Sequence, residues 1–431
     1  MGENQLLSED QKIENWRSAN IWLVSLFYFF QGICNSGMGI YSYAAMANWD
    51  IPAGVQTTVI AILGLPLYLA VFPGLLSDRV PIGKWGRRKP YIALGGLLYI
   101  PSYALLIVNQ QFGASWVGSI ILFLIAWLLV DTSLDAMTVD ITPQNRLAQV
   151  QSAARASRLV GTGLASLAVP MLGPRLGWPS VLLLLGNFAL LQSLAAILFK
   201  EVPLSLEALR AVQAPLGRMI RHIFGNRLVW YSLLFFFFFS ASQGFGPLIN
   251  IYLLTELGWG KDPHQMQIFG LLLFTNTLAA VAGALLGGRL HPKVLLSLRF
   301  FTVFLVVCWI SILPWLLVHQ SPDDLTLIFS ARVLMGTLMG FGSVLGLTLM
   351  MRLSPRTNEG FMFALLGSAG SLGNNTLESK TVTAFSTRLG GLIPAFFTLI
   401  PYGFISLFFL RYLLRTLDPS RPEADSIPYA G

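Results

Sequence analysis

Charge is what this chain has least of. Only 11% of its 431 residues are Asp, Glu, Lys or Arg, against about a quarter in an ordinary soluble domain. So few charges cannot cover a water-facing surface, which excludes a soluble globular protein. Cysteine is nearly absent too. Cys34 and Cys308 are the only two; both fall inside apolar runs and read as packed hydrophobes. The four histidines, His222, His264, His291 and His319, are scattered, so no metal cluster is expected. No loop of the Gly-rich, Lys-Ser/Thr-terminated kind is present, which argues against an ATP-driven pump. HExxH and nucleophile-elbow motifs are missing as well, so neither an enzyme nor a cofactor is expected. No cleavable leader is expected either: the first apolar run is too long and follows the mixed-charge tail 1–20. Within that tail, Ser8-Glu9-Asp10-Gln11 suits a helix cap.

Hydrophobic residues make up 55% of the chain, and they come in long runs. A membrane helix needs about 20 mostly apolar residues. Twelve runs qualify: 21–46, 55–76, 91–108, 116–139, 150–172, 181–199, 228–254, 268–286, 294–318, 325–351, 361–385 and 392–413. They are continuous and rich in Leu and Phe, unlike the alternating segments of about ten residues that build a membrane barrel. The fold class expected is therefore an all-α integral membrane protein of about twelve helices.

The net charge of +8 does not point to nucleic acid, because its distribution is that of a membrane protein. Of the 28 Lys and Arg, only Arg175, Lys261 and Arg388 fall in loops of one face. Arg155, Arg158, Arg332 and Lys380 fall well within the runs, while Arg299 and Arg411 fall near run ends on the opposite face. The rest collect on the opposite face, which the positive-inside rule assigns to the cytoplasm together with both termini. A multi-pass protein of the plasma or inner membrane is expected, acting as a monomer.

The longest hydrophilic stretch between runs, 200–227, divides the chain six and six. The expected organisation is a tail at 1–20, a bundle at 21–199, a cytoplasmic linker at 200–227, a second bundle at 228–414 and a tail at 415–431. Within the linker, 204–223 mixes Leu with Arg210, Arg218 and Arg221. It reads either as a helix lying on the inner membrane surface or as a flexible connection. The two bundles also resemble each other. Aligning Pro143 of Val139-Asp140-Ile141-Thr142-Pro143 with Pro355 of Met351-Arg352-Leu353-Ser354-Pro355 places Gly161 on Gly373. Gly37-Met38-Gly39 likewise echoes Gly244-Phe245-Gly246. Parallel repeats are the expectation.

Two stretches carry a family resemblance. Gly74-Leu75-Leu76-Ser77-Asp78-Arg79 followed by Gly86-Arg87-Arg88-Lys89-Pro90-Tyr91 resembles the loop 2–3 signature of the major facilitator superfamily. It is lengthened by Pro81-Ile82-Gly83-Lys84-Trp85. Long forms of this loop resemble those of folate–biopterin transporters, light-harvesting assembly proteins and glycoside or sucrose cation symporters. Asp131-Thr132-Ser133-Leu134-Asp135-Ala136, Val139-Asp140, Gln149-Val150-Gln151-Ser152 and Arg158-Leu159-Val160-Gly161 are similar to the fourth-to-fifth-span region of the first two groups. The resemblance implies alternating access between two bundles. It also gives Gly74, Asp78, Arg79, Gly86, Arg87 and Arg88 a gating role, with Asp78 as a latch; the plain alternative is that the basic residues only enforce topology. The matching stretch of the second half, Gly283 to Arg289, has no acid.

Ionisable residues inside a membrane are costly and functional by default. Asp131 and Asp135 share one face of the fourth run; Arg155 and Arg158 share one face of the fifth. Counted from the turn at Pro143, Asp131 and Arg155 each lie about 18 Å up their helices, so they can meet at one depth. The repeat alignment puts Ser343, Leu347, Gly367 and Gly370 in the four matching positions. A charge set present in one half only favours a substrate or proton site over a packing pair. Gln31 and Asn35 on the first run and Gln243 and Asn250 on the seventh are further candidates, with interhelical hydrogen bonding as their alternative. Arg332 is expected in the outer half of its helix, and Glu378 and Lys380 near an outer end, where they reach the interface. The five phenylalanines 235–239 read as lipid-facing and packing surface, and Gly336, Gly340 and Gly346 as points of close helix packing or bending.

The function expected is secondary transport of a small anionic or polar organic solute, with proton or cation coupling and Asp131 or Asp135 as proton carrier. The alternatives are pigment delivery or assembly in a photosynthetic membrane, and sugar–cation symport. The partners expected are the solute and the lipid bilayer, not nucleic acid.

Overall fold

The computed structural model describes residues 19–80, 82, 88–142, 144–197, 224–243, 245–290, 294, 297–353 and 359–416. Both tails, the linker segment 200–223, Gly86, Arg87, Pro143 and Pro355 lie outside the described residues. Among the described residues every regular element is helical. Ten helices are long and apolar enough to cross a membrane, and Trp178–Leu194 is a shorter apolar helix. The remaining helix, from Glu359 to Leu389, is the least uniform, with π-helical geometry over Gly373–Glu378. The molecule is thus an all-α membrane protein of twelve helices in two repeats.

The first half comprises Ala19–Asn48, a second helix in three pieces (Ala53–Leu63, Leu65–Tyr68, Val71–Arg79), Lys89–Val108, Ala114–Ile141, Gln144–Leu176 and Trp178–Ile197. The second helix is broken where Gly64 and Pro66 interrupt it, since proline supplies no backbone donor. The seventh helix runs Arg227–Ala241, Phe245–Ile251 and a π-turn Tyr252–Glu256. The eighth is Pro263–Gly288, the ninth Leu298–Ile310 with Leu313–Gln320, and the tenth Leu325–Leu353. The twelfth, Ile400–Thr416, is entered through Leu392–Ala395 and a 3₁₀ turn, Phe396–Leu399. Asn226 caps the seventh helix, its side chain accepting from Leu228 N, and Ser297 caps the ninth through Phe300 N.

Two compact units emerge. One holds the described residues of Met1–Leu216 together with Asn250–Thr277; the other holds those of Gly217–Ile249 and Leu278–Gly431. The end of the seventh helix and the first part of the eighth therefore group with the first six helices.

In the first unit the first and fifth helices pack most intimately. The cause is a pair of glycines. A Cβ at Gly32 would collide with the carbonyl oxygen of Arg158, and one at Gly161 with that of Phe29, so only glycine allows backbones this close. The second unit repeats the device. A Cβ at Gly373 would collide with Phe237 O, and one at Gly370 would stand 2.8 Å from Ser240 Oγ. Arg158 of the first repeat and Gly370 of the second hold matching places in this crossing. Gly340 approaches Ala280 in the same manner.

The second unit's core is aromatic. Phe235, Phe236 and Phe239 are buried among Phe301, Phe304 and Leu345, while Phe237 and Phe238 are half-buried. The phenylalanine run is packing surface on one side and periphery on the other. Cys34 and Cys308 are free and buried. Arg332 is buried. Glu378 departs from the expectation of an interfacial side chain: it is 1% exposed. The π-turn rotates it inward, whereas Lys380, two residues on, is exposed.

Candidate functional site

Three helices of the first unit bring a charged network together. On the first helix Tyr28, Gln31 and Asn35 recur at three- and four-residue spacing and share a face. On the fourth, Trp127, Asp131 and Asp135 do the same. The glycine crossing presses the first helix onto the fifth at Arg158 itself. Gln31 Nε2 donates to Asp131 Oδ1, and Tyr28 OH donates to Asp135 Oδ1. Arg158 Nη1 stands 3.7 Å from the same Asp131 oxygen, with its guanidinium 5.6 Å above the centre of the Trp127 ring. The Arg158 side chain is 25% exposed and that of Asp131 15%. The pair is accessible, and a guanidinium carries five donors, most of them uncommitted to Asp131.

Asp131 meets Arg158, not Arg155, the residue at equal depth. Side chains on a helix lean toward its N-terminus, which on the fifth helix is the end near the turn. Arg158 thus reaches back about one turn to the depth of Asp131. Arg155 is exposed one turn nearer the turn, and Asn35 is half-buried. Tyr28 and Trp127 belong to the network although charge alone did not single them out. The signal that could have found them is spacing: each lies three or four residues from a polar residue already suspected.

Asn250 belongs to the first unit, where it lines a cavity of about 210 Å³ with Ser36, Tyr43, Thr162, Ser166 and Asn276. Gln243 belongs to the second unit, where its Oε1 stands 3.0 Å from where a Cβ on Gly342 would sit; it is not part of the charged network.

In the signature loop, Gly74 has open space around it. Asp78 and Arg79 close the second helix; their side chains are not among those described, and Gly86 and Arg87 lie outside the described residues. Arg88 is 4% exposed and donates from Nη1 to Ser77 Oγ at 2.7 Å. Tyr91 OH donates to Val80 O at 2.7 Å. The third helix is thereby tied to the end of the second. Other contacts of this unit include the ion pair Asp50–Lys261 and the buried Gln56, whose Nε2 donates to Ile51 O at 2.7 Å and Thr255 Oγ1 at 2.8 Å. Asp50 is the only non-glycine residue with positive φ, 56°, among those described.

A family model described as Major Facilitator Superfamily matches residues 24–376. The chain belongs to the major facilitator superfamily. A folate-biopterin transporter of Synechocystis sp. is 24% identical to this superfamily member over 387 residues, covering 85% of this chain and 75% of the relative. A nitrite extrusion protein of Bacillus subtilis is 25% identical over 146 residues, 33% of this chain and 34% of that one. Among solved structures, an inward-facing bacterial homolog of the human lysosomal transporter Spinster superposes with TM-score 0.67 at 14% identity, covering 93% of this chain and 98% of that one. A D-xylose-proton symporter gives 0.65 at 13%, covering 92% and 96%. These likenesses establish the fold. The protein is a superfamily transporter and not an enzyme, and it carries its charged network in the first repeat.

Proposed function

We propose that this transporter moves a small organic anion by alternating access, with the carboxylate of the solute bound by Arg158 and one proton carried by Asp131 or Asp135. The observation that carries the reading is the Gln31–Asp131–Arg158 cluster. It holds an accessible guanidinium with uncommitted donors inside an apolar helix bundle. Arg155, Arg158, Asp131 and Asp135 together are neutral. Binding a monoanion leaves one negative charge in excess, and a proton on either aspartate removes it. The solute competes with Asp131 for Arg158, and the released carboxylate is the proton acceptor. The folate-biopterin relative supports a carboxylate-bearing or heterocyclic solute, and the partial relative is named for the extrusion of an anion.

The same reading makes Asp78 of the signature loop a latch, puts both termini in the cytoplasm, divides the chain functionally at 200–227, and lets one chain suffice. Thermal stabilisation of the purified protein by folate, simple mono- and dicarboxylates, biopterin and xylose tests it. Carboxylates should stabilise the wild type. Arg158→Gln should weaken that effect about tenfold or more, since a charged hydrogen bond is worth about 1.5–3 kcal/mol, while the ligand-free melting temperature is kept. Equal carboxylate binding by Arg158→Gln would overturn the proposal; stabilisation by xylose alone would favour sugar symport, and a co-purifying chlorin would favour pigment delivery.

A further inference from the structure

The second unit holds an acidic residue that the anion site does not use. Glu378 ends the π-turn Gly373–Glu378 of the eleventh helix. It is 1% exposed, and its Oε2 is a buried acceptor without a hydrogen-bond partner. Few buried side-chain polar groups in a native protein are left this way, and an unpartnered ionised carboxylate is the costliest case. No ion pair of Glu378 is among the described contacts; the other buried charged side chain of this unit is Arg332, on the tenth helix. Gly373, five residues earlier, is clamped against Phe237 of the seventh helix's first piece, Arg227–Ala241; the titratable residues of that piece are Arg227 and Tyr231, nearer its start, while Tyr252 and Glu256 at the helix's far end group with the first unit. Tyr231 is stacked near Tyr412 and Phe409. On the eleventh helix itself Lys380 and Arg388 are exposed. Tyr402 of the twelfth shares a hydrogen bond of 2.7 Å with Thr381. This packing accommodates a neutral acid.

A second observation concerns the backbone. The fifth helix, which holds the matching place in the first repeat, is continuous from Gln144 to Leu176, whereas the eleventh is rewound through its π-turn. A π-turn inserts a residue into the helix, re-aims the side chains after it, and is frequent at functional sites. Here it turns the one acid of that stretch inward. A side chain needed only for packing would be met by an apolar residue at no electrostatic cost.

We propose that Glu378 is a proton-binding site of the transport cycle. It takes a proton from water in one access state, holds it shielded in the state seen here, and returns it to water when the eleventh helix next opens to solvent. Only the O–H bond of the carboxylic acid forms and breaks, with water as donor and acceptor, so no further reactant is needed. The inference rests on the transporter reading but not on the identity of the solute or on Arg158.

Infrared spectroscopy of the full-length protein in lipid, with no solute added, tests it. The difference spectrum between wild type and Glu378→Gln at neutral pH should contain the carbonyl stretch of a protonated carboxylic acid. Glu378→Asp should move that band and so assign it, even if the Gln variant folds poorly. After transfer to heavy water the band should shift in protein that remains folded, as the site opens during the cycle. No acid band in the difference spectrum would overturn the proposal. So would a band that resists exchange until the protein unfolds, because that describes a sealed structural acid. Failure of carboxylate binding at Arg158 would leave this measurement untouched.

Discussion

At the scale of single residues, glycine and arginine act as one device where the first helix crosses the fifth. Gly32 meets the backbone of Arg158, so the contact that sets helix spacing also sets the depth of the guanidinium. Gly32→Ala or Gly161→Ala must push the helices apart and should cost about 1–3 kcal/mol or more, with a lowered melting temperature and weakened anion binding together. Gly39→Ala, on the same helix but with open space around it, should change neither; equal losses at Gly39 and Gly32 would refute the packing argument. A double-mutant cycle on Asp131→Asn and Arg158→Gln separates the remaining alternatives. A packing pair shows a coupling energy of about 0.5–3 kcal/mol in thermal stability, with activity restored in the double mutant. A transport site shows activity lost in all three variants, which is the expected outcome.

Much of this residue-level picture was legible in the sequence, for a physical reason. Charges in an apolar run are few enough to count, and the helix period then tells which share a face. That placed Asp131, Asp135 and Arg158 together. It missed Tyr28 and Trp127, because an aromatic residue in a membrane helix is common and carries no such signal. It also favoured Arg155 on depth, because counting residues locates backbones and not the tips of long side chains. Glu378 was misjudged because no pattern in a single sequence announces a π-turn, and one inserted residue changes which way every later side chain points.

Among elements, the join between the second and third helices shows that not every base of the signature loop is a solvated surface charge. Arg88 is buried and bonded to Ser77. Arg88→Ala should cost about 1.5–3 kcal/mol, the value of a hydrogen bond to a charged group, read as a drop in melting temperature. The contacts made by Asn250–Thr277 divide differently. The Asp50–Lys261 pair is well exposed, and Lys261→Ala should alter stability by less than about 1 kcal/mol. Gln56 is wholly buried between Ile51 and Thr255, and Gln56→Leu, which leaves two acceptors unserved, should be the more damaging change. Helix boundaries were legible to within a few residues. The breaks inside the second, seventh, ninth and twelfth helices were not, because a membrane helix tolerates Gly and Pro wherever a neighbour satisfies the freed backbone.

For the whole molecule, the uneven distribution of Lys and Arg is the strongest topological signal, and single cysteines test it. Arg289→Cys should react only with reagent supplied from the cytoplasmic side and Arg175→Cys only from the outside; both positions are exposed. The reverse pattern would invert the topology. The repeat was legible in part from Gly161 and Gly373, because the helix crossing each one makes leaves no room for a Cβ. The grouping of Asn250–Thr277 with the first six helices was not, since hydrophobicity says where a helix lies but not which neighbours it keeps.

That grouping bears on biosynthesis. The ribosome completes the first six helices before it reaches Asn250–Thr277, so the nascent first half waits with Gln56 lacking Thr255 and the walls of the polar cavity lacking Asn250 and Asn276. A gene divided in the linker should therefore yield a first fragment that is poorly stable when expressed alone and is rescued by co-expressing the second, despite the apparent completeness of six helices. Expression yield and melting temperature of the fragment, alone and with its complement, measure this directly. A first fragment as stable alone as in company would mean that the borrowed segment contributes nothing to its folding.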